Sequence, residues 1–160
     1  MLKKLKKFMV VAAAAVMLSA GFVTAAPNEA HAAHWADTQM NWAMNKGYIT
    51  ADLRDNLATR QDVWLILTRA KKNAGAAFDY NYARDYVIGN GISDGTRGTN
   101  WVTRDECAAM ILRAKGFITS SSDEFSNIRE YGKKYGIYDG SRGNDFATRA
   151  EVVTMMYNVH

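Results

Sequence analysis

The stretch Gly136-Ile137-Tyr138-Asp139-Gly140-Ser141-Arg142-Gly143, followed two residues later by Phe146-Ala147-Thr148-Arg149-Ala150-Glu151, decides the fold. The same phrase stands earlier as Gly91 to Gly98 with Trp101 to Glu106, and more loosely between Gly47 and Asp62. In each copy the Gly precedes the Arg by 13 residues, and a Thr (Thr59, Thr103, Thr148) immediately precedes that Arg. An acidic residue (Asp62, Glu106, Glu151) follows the Arg by two places, and the Thr-Arg pairs lie 44 and then 45 residues apart. A fixed period of this length means one supersecondary unit used repeatedly, with a core that the units build together. Chemistry belonging to the unit should then recur in each copy.

Each copy is expected to form helix, turn, helix. Downstream of the Thr-Arg pair, Val63, Ile66, Leu67 and Ala70 fall on one face at i, i+3, i+4 and i+7. Cys107, Met110, Ile111 and Ala114 fill the same columns in the second copy, and Val152, Met155, Met156 and Val159 in the third. That is the apolar stripe of an amphipathic helix, so three second helices should form a central core. Upstream, shorter helices are expected over approximately 38–46, 79–90 and 124–135, with Trp42, Tyr86 and Tyr131 in a shared column. Each should stop at its Gly, which accepts the left-handed conformation. A polar turn with an Asp-Gly signal follows. Leu57, Trp101 or Phe146 closes the loop and is expected to plug the junction between the helices. The fold class is therefore all-α, in repeats of approximately 34–72, 78–116 and 124–160.

Thr followed three residues later by Glu or Asp, ahead of an apolar run, is a capping box. Thr and the acid thus have a structural role. The Arg at the first helical position does not, because the helix dipole disfavours a cation there by roughly 0.3–1 kcal/mol. Two explanations stand side by side. Free amides at a helix start attract an anion, and a guanidinium adds a two-pronged donor, making Arg60, Arg104 and Arg149 three anion pockets. Alternatively, each Arg forms a structural ion pair with a neighbouring repeat, for example with Asp94 or Asp139.

The N-terminal segment reads as an address. Lys3, Lys4, Lys6 and Lys7 precede an apolar run from Phe8 to Ala20, and Ala30-His31-Ala32 fits a small-x-small cleavage site, with Ala25 or Ala26 as an alternative cut. This is the pattern of a secretory signal peptide over 1–32. The run is shorter than a membrane span of roughly 20 residues, so no span is expected after cleavage; a retained anchor is the alternative. The whole chain has 20 basic and 16 acidic residues. Removal of residues 1–32 takes away the four lysines and Glu29, leaving 16 against 15 and a net charge near +1. A nucleic-acid partner is therefore not expected. The remaining 33–160 suffices for one domain. Its single cysteine, Cys107, has Val63 and Val152 as counterparts and is expected to be a small buried hydrophobe.

The phrase as a whole, aromatic–Gly-Ile-x-Asp-Gly–Phe-x-Thr-Arg-Ala-Glu, resembles the S-layer homology motif. Residues 148–151 hold the family's Thr-Arg-Ala-Glu signature, and Trp35-Ala36-Asp37 with Asn41-Trp42-Ala43 resembles its opening. The resemblance covers 34–160. It implies a pseudo-threefold, three-pronged helical domain whose inter-prong grooves bind an anionic secondary cell-wall polysaccharide, often pyruvylated. It implies a role for Arg60, Arg104 and Arg149 in gripping the acid. It also points to the turn residues Gly91, Gly136, Asp94 and Asp139 for close approach to a sugar, and to Trp42, Tyr86 and Tyr131 as stacking candidates that compete with a core role. Export to the cell wall or surface follows. The first copy departs from the pattern with Thr50-Ala51 in place of Asp-Gly, which makes its groove doubtful. No copy carries the Pro often found before Thr-Arg, and no cargo domain is evident, so the module is expected to stand alone.

Catalysis is not expected. His31, His34 and His160 do not recur in the repeats, so a Ser or Cys nucleophile lacks its base. Paired carboxylates remain a formal route to glycan hydrolysis, yet Glu106 and Glu151 already cap helices. Asp139, Ser141 and Asp145 echo a calcium loop, but Asn144 replaces its required Gly and Ala150 its final acid. No cofactor or metal is expected. The competing function is an envelope adaptor or lattice protein that acts through protein contacts with little glycan affinity.

Overall fold

The computed structural model describes residues 32–119 and 125–160. The expected signal peptide falls almost wholly outside the described residues. By its contacts the chain divides into Met1–Ala33 and His34–His160, and the description concerns the second unit. Its helices are α1 (Asp37–Asn45), α2 (Arg60–Lys72), α3 (Tyr80–Gly89), α4 (Arg104–Ala114), α5 (Phe125–Lys134) and α6 (Arg149–Tyr157). The fold is all-α. Among the described residues no helix is long and apolar enough to cross a membrane.

The helix boundaries follow from the local chemistry of the repeats. Thr59, Thr103 and Thr148 each adopt extended backbone and accept from the amide three residues on, while Asp62, Glu106 and Glu151 reach back to the cap amide. All three capping boxes are thus complete. At the other end of the short helices, Gly91 and Gly136 sit at φ +66° and +71°, where an L side chain would be strained. The amides of Ile92 and Ile137 then return to Val87 O and Gly132 O, closing each helix C-terminus.

Packing joins helices from different repeats. The first helix of one copy lies on the second helix of another: α1 on α6, α3 on α2 and α5 on α4, with α4 also against α2 and α6. Most of the expected stripe is buried: Val63, Cys107 and Val152 fully, Ile66, Leu67, Met110, Ile111, Ala114, Met155 and Met156 nearly so, while Ala70 and Val159 at its far end are only partly buried. Burial pushes the Cys107 thiol up to about 12, so it is an inert core residue at neutral pH.

A closed cycle of backbone hydrogen bonds ties the three loops together. Ala58 N donates to Ala147 O (2.9 Å), Ala147 N to Val102 O (2.9 Å) and Val102 N to Ala58 O (3.0 Å). The three residues are completely buried. This corrects the expectation for the preceding residues. In extended backbone successive side chains point to opposite sides. Because Ala58, Val102 and Ala147 face inward, Trp101 and Phe146 turn outward and are 47% and 50% exposed. They do not plug the helix junction, and Leu57 in the same column is half-buried.

A second recurring device lies nine residues after each motif Arg. Arg69 donates to Tyr48 O (3.2 Å), Arg113 to Ile92 O (3.1 Å) and Asn158 to Ile137 O (3.1 Å). Each acceptor is the carbonyl just after the helix-ending Gly, so the column clamps the second helix of a copy to its own turn. The buried Arg69 also holds Ala76 O and Ala77 O of the linker.

Candidate functional site

The motif arginines occupy the starts of α2, α4 and α6, and their surroundings differ. Arg60 is 5% exposed. Its guanidinium donates to Thr96 O (3.0 Å), Ser93 Oγ (3.2 Å), Asp94 Oδ1 (3.0 Å) and Glu106 Oε1 (3.2 Å), all in the next copy. Arg104 repeats the pattern on the third copy, with Ser141 O (3.2 Å), Asp139 Oδ1 (3.4 Å) and Glu151 Oε1 (2.6 Å). It also lies over the Tyr138 ring. Charge-assisted hydrogen bonds contribute about 1.5–3 kcal/mol each, well above the roughly 0.3–1 kcal/mol dipole penalty. An Arg at the first helical position is therefore explained by what it reaches in the neighbouring copy.

The amides at these helix starts are also occupied. Arg60 N and Gln61 N donate to Asn100 O and Gly98 O, Arg104 N and Asp105 N to Asp145 O and Gly143 O, and Arg149 N and Ala150 N to Asn56 O and Arg54 O. The capping Thr takes the third amide. The expectation of free amides awaiting an anion is thus corrected: loop carbonyls of the next copy fill those positions. Gly143 has no room for a side chain, since an added Cβ would meet the Asp105 carboxylate. That buried carboxylate is held by Tyr138 Oη (2.5 Å) and Arg129 Nε (2.9 Å).

Arg149 differs from the other two. Its guanidinium has one carboxylate partner, Asp62 (Nη2 to Oδ2, 3.0 Å), and Tyr80 Oη shares that acid (2.9 Å). Among the described residues the buried Nε of Arg149 has no acceptor. In Arg60 and Arg104 the Nε donates to the Thr96 and Ser141 carbonyls, and the first copy's loop supplies Arg149 Nε no such carbonyl. That loop also lacks two charged residues. Thr50 stands in the column of Asp94 and Asp139, and Leu53 in the column of Arg97 and Arg142. Those two loop arginines, held at φ +55° and +50°, pair with Glu106 (3.3 Å) and Glu151 (2.6 Å). The first copy supplies neither the second acid nor the second base. Instead a cleft of about 220 Å³ separates Arg149, Asp62 and Tyr80 from Thr50, Ala51 and Leu53.

Two open grooves flank Trp101. One, of about 410 Å³, runs between Leu57 and Trp101 and includes Asn56, Gln61, Tyr80 and Arg149. The other, of about 430 Å³, runs between Trp101 and Phe146 and includes Arg97, Asn100 and Glu106. Neither Arg60 nor Arg104 lines either groove. Gly91 and Gly136 are exposed helix ends, and Asp94 and Asp139 are exposed partners of Arg60 and Arg104. Trp42 packs edge-on against Tyr48 and Tyr157, Tyr86 lies beneath Lys72, and Tyr131 stacks near Tyr135; none of the three borders the grooves. Of the aromatic residues at the grooves, Tyr80, Trp101 and Phe146, the last two are recognisable in the sequence only by alternation from the buried Val102 and Ala147.

Three carboxylates of this network, Asp94, Asp139 and Glu151, are acid-sensitive. Burial alone pushes the Glu151 carboxyl up, but the Thr148 amide, Arg142 and the charge of Arg104 outweigh it and hold it below the usual range. For Asp94, burial is likewise outweighed by Thr96 and Arg60; for Asp139, Ser141 lowers the value ahead of Arg104. A carboxylate depressed in the folded state binds protons more tightly when unfolded, so its stabilisation is present at higher pH and is lost on acidification. Melting temperatures between pH 7 and pH 3 should hold steady down to about pH 5, then fall as pH drops through the ordinary carboxylate range near 4. A midpoint that rises on acidification would contradict these assignments.

No protein-family model matches the chain, and no curated protein matches it. Among the described residues no group of three or more His, Cys, Asp or Glu is placed to hold a metal ion.

Proposed function

We propose that the chain is a non-catalytic, exported module that holds an anionic cell-wall polysaccharide in the grooves on either side of Trp101, in the manner of the S-layer homology family it resembles. The observation that carries this reading is the pairing, in one groove, of a half-exposed indole with a guanidinium whose donors are incompletely used. A pyranose presents an apolar face and a rim of hydroxyls. The Trp101 face accepts the first, and Asn56, Thr59 and Gln61 line the same groove for the second. A sugar acid adds a carboxylate, the planar anion that a guanidinium engages with two hydrogen bonds. A pyruvyl group is one such acid. The groove between Trp101 and Phe146 continues the surface with a second aromatic edge, which suits a polymer over a single sugar. Within this proposal Arg149 is the acid-gripping residue, while Arg60 and Arg104 tie neighbouring copies together.

The test is sedimentation with isolated cell walls. The purified chain should co-sediment, and free pyruvylated sugar should release it. Trp101→Ala should weaken binding at least tenfold, about 1.4 kcal/mol, with an unchanged circular dichroism spectrum. No co-sedimentation, or binding indifferent to Trp101→Ala, rejects the glycan reading. Absence of wall binding together with a defined envelope-protein partner would favour the adaptor alternative.

A further inference from the structure

The opposite ends of the second helices build a different chamber. Ten residues separate the motif arginines from it, about 15 Å along a helix. There the three copies contribute matching columns to one cavity of about 260 Å³. Leu67, Ile111 and Met156 form its floor. Three residues further along each copy, Ala70, Ala114 and Val159 line the space between that floor and the mouth. Trp42 and Tyr48 close one side. The mouth carries Lys71 and Lys115 from one shared column, with His160 in the third place, and Lys46 beside them.

The chamber is larger than an apolar cavity of about 150 Å³ that admits benzene, so it has room for a ring with a short tail or an alkyl chain of that volume. Its mouth is cationic and shows no acidic residue. Lys46, Lys71 and Lys115 make no ion pair among the described residues. Burial lowers the Lys115 pKa, and the nearby Lys71 charge lowers it further, a tension that an incoming anion relieves. Helix dipoles account for lysines at helix C-termini. They do not account for an apolar chamber beneath them, because lysines serving only the dipole need no cavity under their ammonium groups.

We propose that this chamber binds a small amphipathic monocarboxylate, with its apolar body on the Leu67–Ile111–Met156 floor and its carboxylate among Lys46, Lys71 and Lys115. The site is independent of the grooves around Trp101 and needs nothing from the polysaccharide reading. A leader segment of this chain is a poor occupant, since its apolar run is preceded by four lysines that the cationic mouth repels.

Three probes of equal chain length test the proposal: octanoate, 1-octanol and octylammonium. Titration of the purified chain is followed by the methyl resonances of Ile111 and Met156. Octanoate should shift both, at least tenfold more tightly than octanol, and octylammonium should shift neither. Lys71→Glu combined with Lys115→Glu alters exposed side chains, so the fold should persist by circular dichroism, while octanoate affinity falls at least tenfold and octanol binding stays. Equal affinity for octanoate and octanol overturns the proposal, as do shifts confined to the Trp101 and Arg149 surface. Co-sedimentation with phosphatidylglycerol vesicles in the absence of any octanoate shift also overturns it, by assigning the cationic mouth to a lipid surface.

Discussion

Arg104→Ala is expected to lower the melting temperature by about 6–20 °C. Removing one partner of a buried ion pair typically costs about 3–5 kcal/mol, because the other charge is left without compensation. Here Arg142 also engages Glu151 (2.6 Å), which softens the loss to about 2–4 kcal/mol. In a domain of this size each kcal/mol moves the midpoint by about 3–5 °C. The side chain does more than pair: it donates to Ser141 O and so fastens the third copy's turn to the start of α4. Arg104→Lys should recover only part of the loss, since an ammonium cannot span Ser141 O, Asp139 and Glu151 as a planar fork does. Thermal melts followed by circular dichroism decide the matter. A shift below about 3 °C would mean that these pairs contribute like ordinary surface salt bridges.

Much of this arrangement is legible in the chain, and what is not has a physical cause. The capping boxes are local, so Thr59, Thr103 and Thr148 announce the starts of α2, α4 and α6, and the apolar columns announce the buried faces of those helices. The destination of each motif Arg is not local. Arg60 meets Asp94 34 residues away, and Arg149 meets Asp62 87 residues away; the period of the repeat gives no direction for that handover. The occupied amides were hidden for the same reason, because their acceptors belong to the neighbouring copy. Trp101 and Phe146 look like core residues by type, and only the inward turn of Val102 and Ala147 sets them outside. The clamp formed by Arg69, Arg113 and Asn158 lay within reach of a column-by-column reading, although Asn in the third place disguises it.

The substitution of Thr50-Ala51 for Asp-Gly marks the first copy's groove as doubtful when read from sequence alone, and the geometry gives it another meaning. In the other copies the loop Asp consumes a donor of the motif Arg, at 3.0 Å from Arg60 and 3.4 Å from Arg104. Where Thr50 replaces that Asp, Arg149 has Asp62 as its one carboxylate partner; its Nε also lacks the carbonyl that Thr96 and Ser141 give Arg60 and Arg104, and it borders both a groove and a cleft. Two variants are expected to separate binding from stability. Arg149→Ala should reduce cell-wall affinity about a hundredfold, roughly the 2–5 kcal/mol lost when one member of a desolvated, hydrogen-bonded charge pair is truncated. Its stability should fall as well, by about 2–4 kcal/mol, since the buried Asp62 loses its cation and keeps only Tyr80 and its cap amide, so wall binding is compared at a temperature where the variant is folded. Thr50→Asp should act in the opposite sense on the fold. A carboxylate placed in the cleft facing Arg149 supplies the partner that Arg60 and Arg104 already have, raising the midpoint by a few degrees, about 1 kcal/mol. The same internal carboxylate competes with a sugar acid for the guanidinium, so wall affinity should fall about tenfold. If Thr50→Asp binds walls more tightly, or if Arg149→Ala, still folded by circular dichroism, binds walls as well as the unaltered chain, then Arg149 is a third structural strut and the acid of the polysaccharide must be held elsewhere.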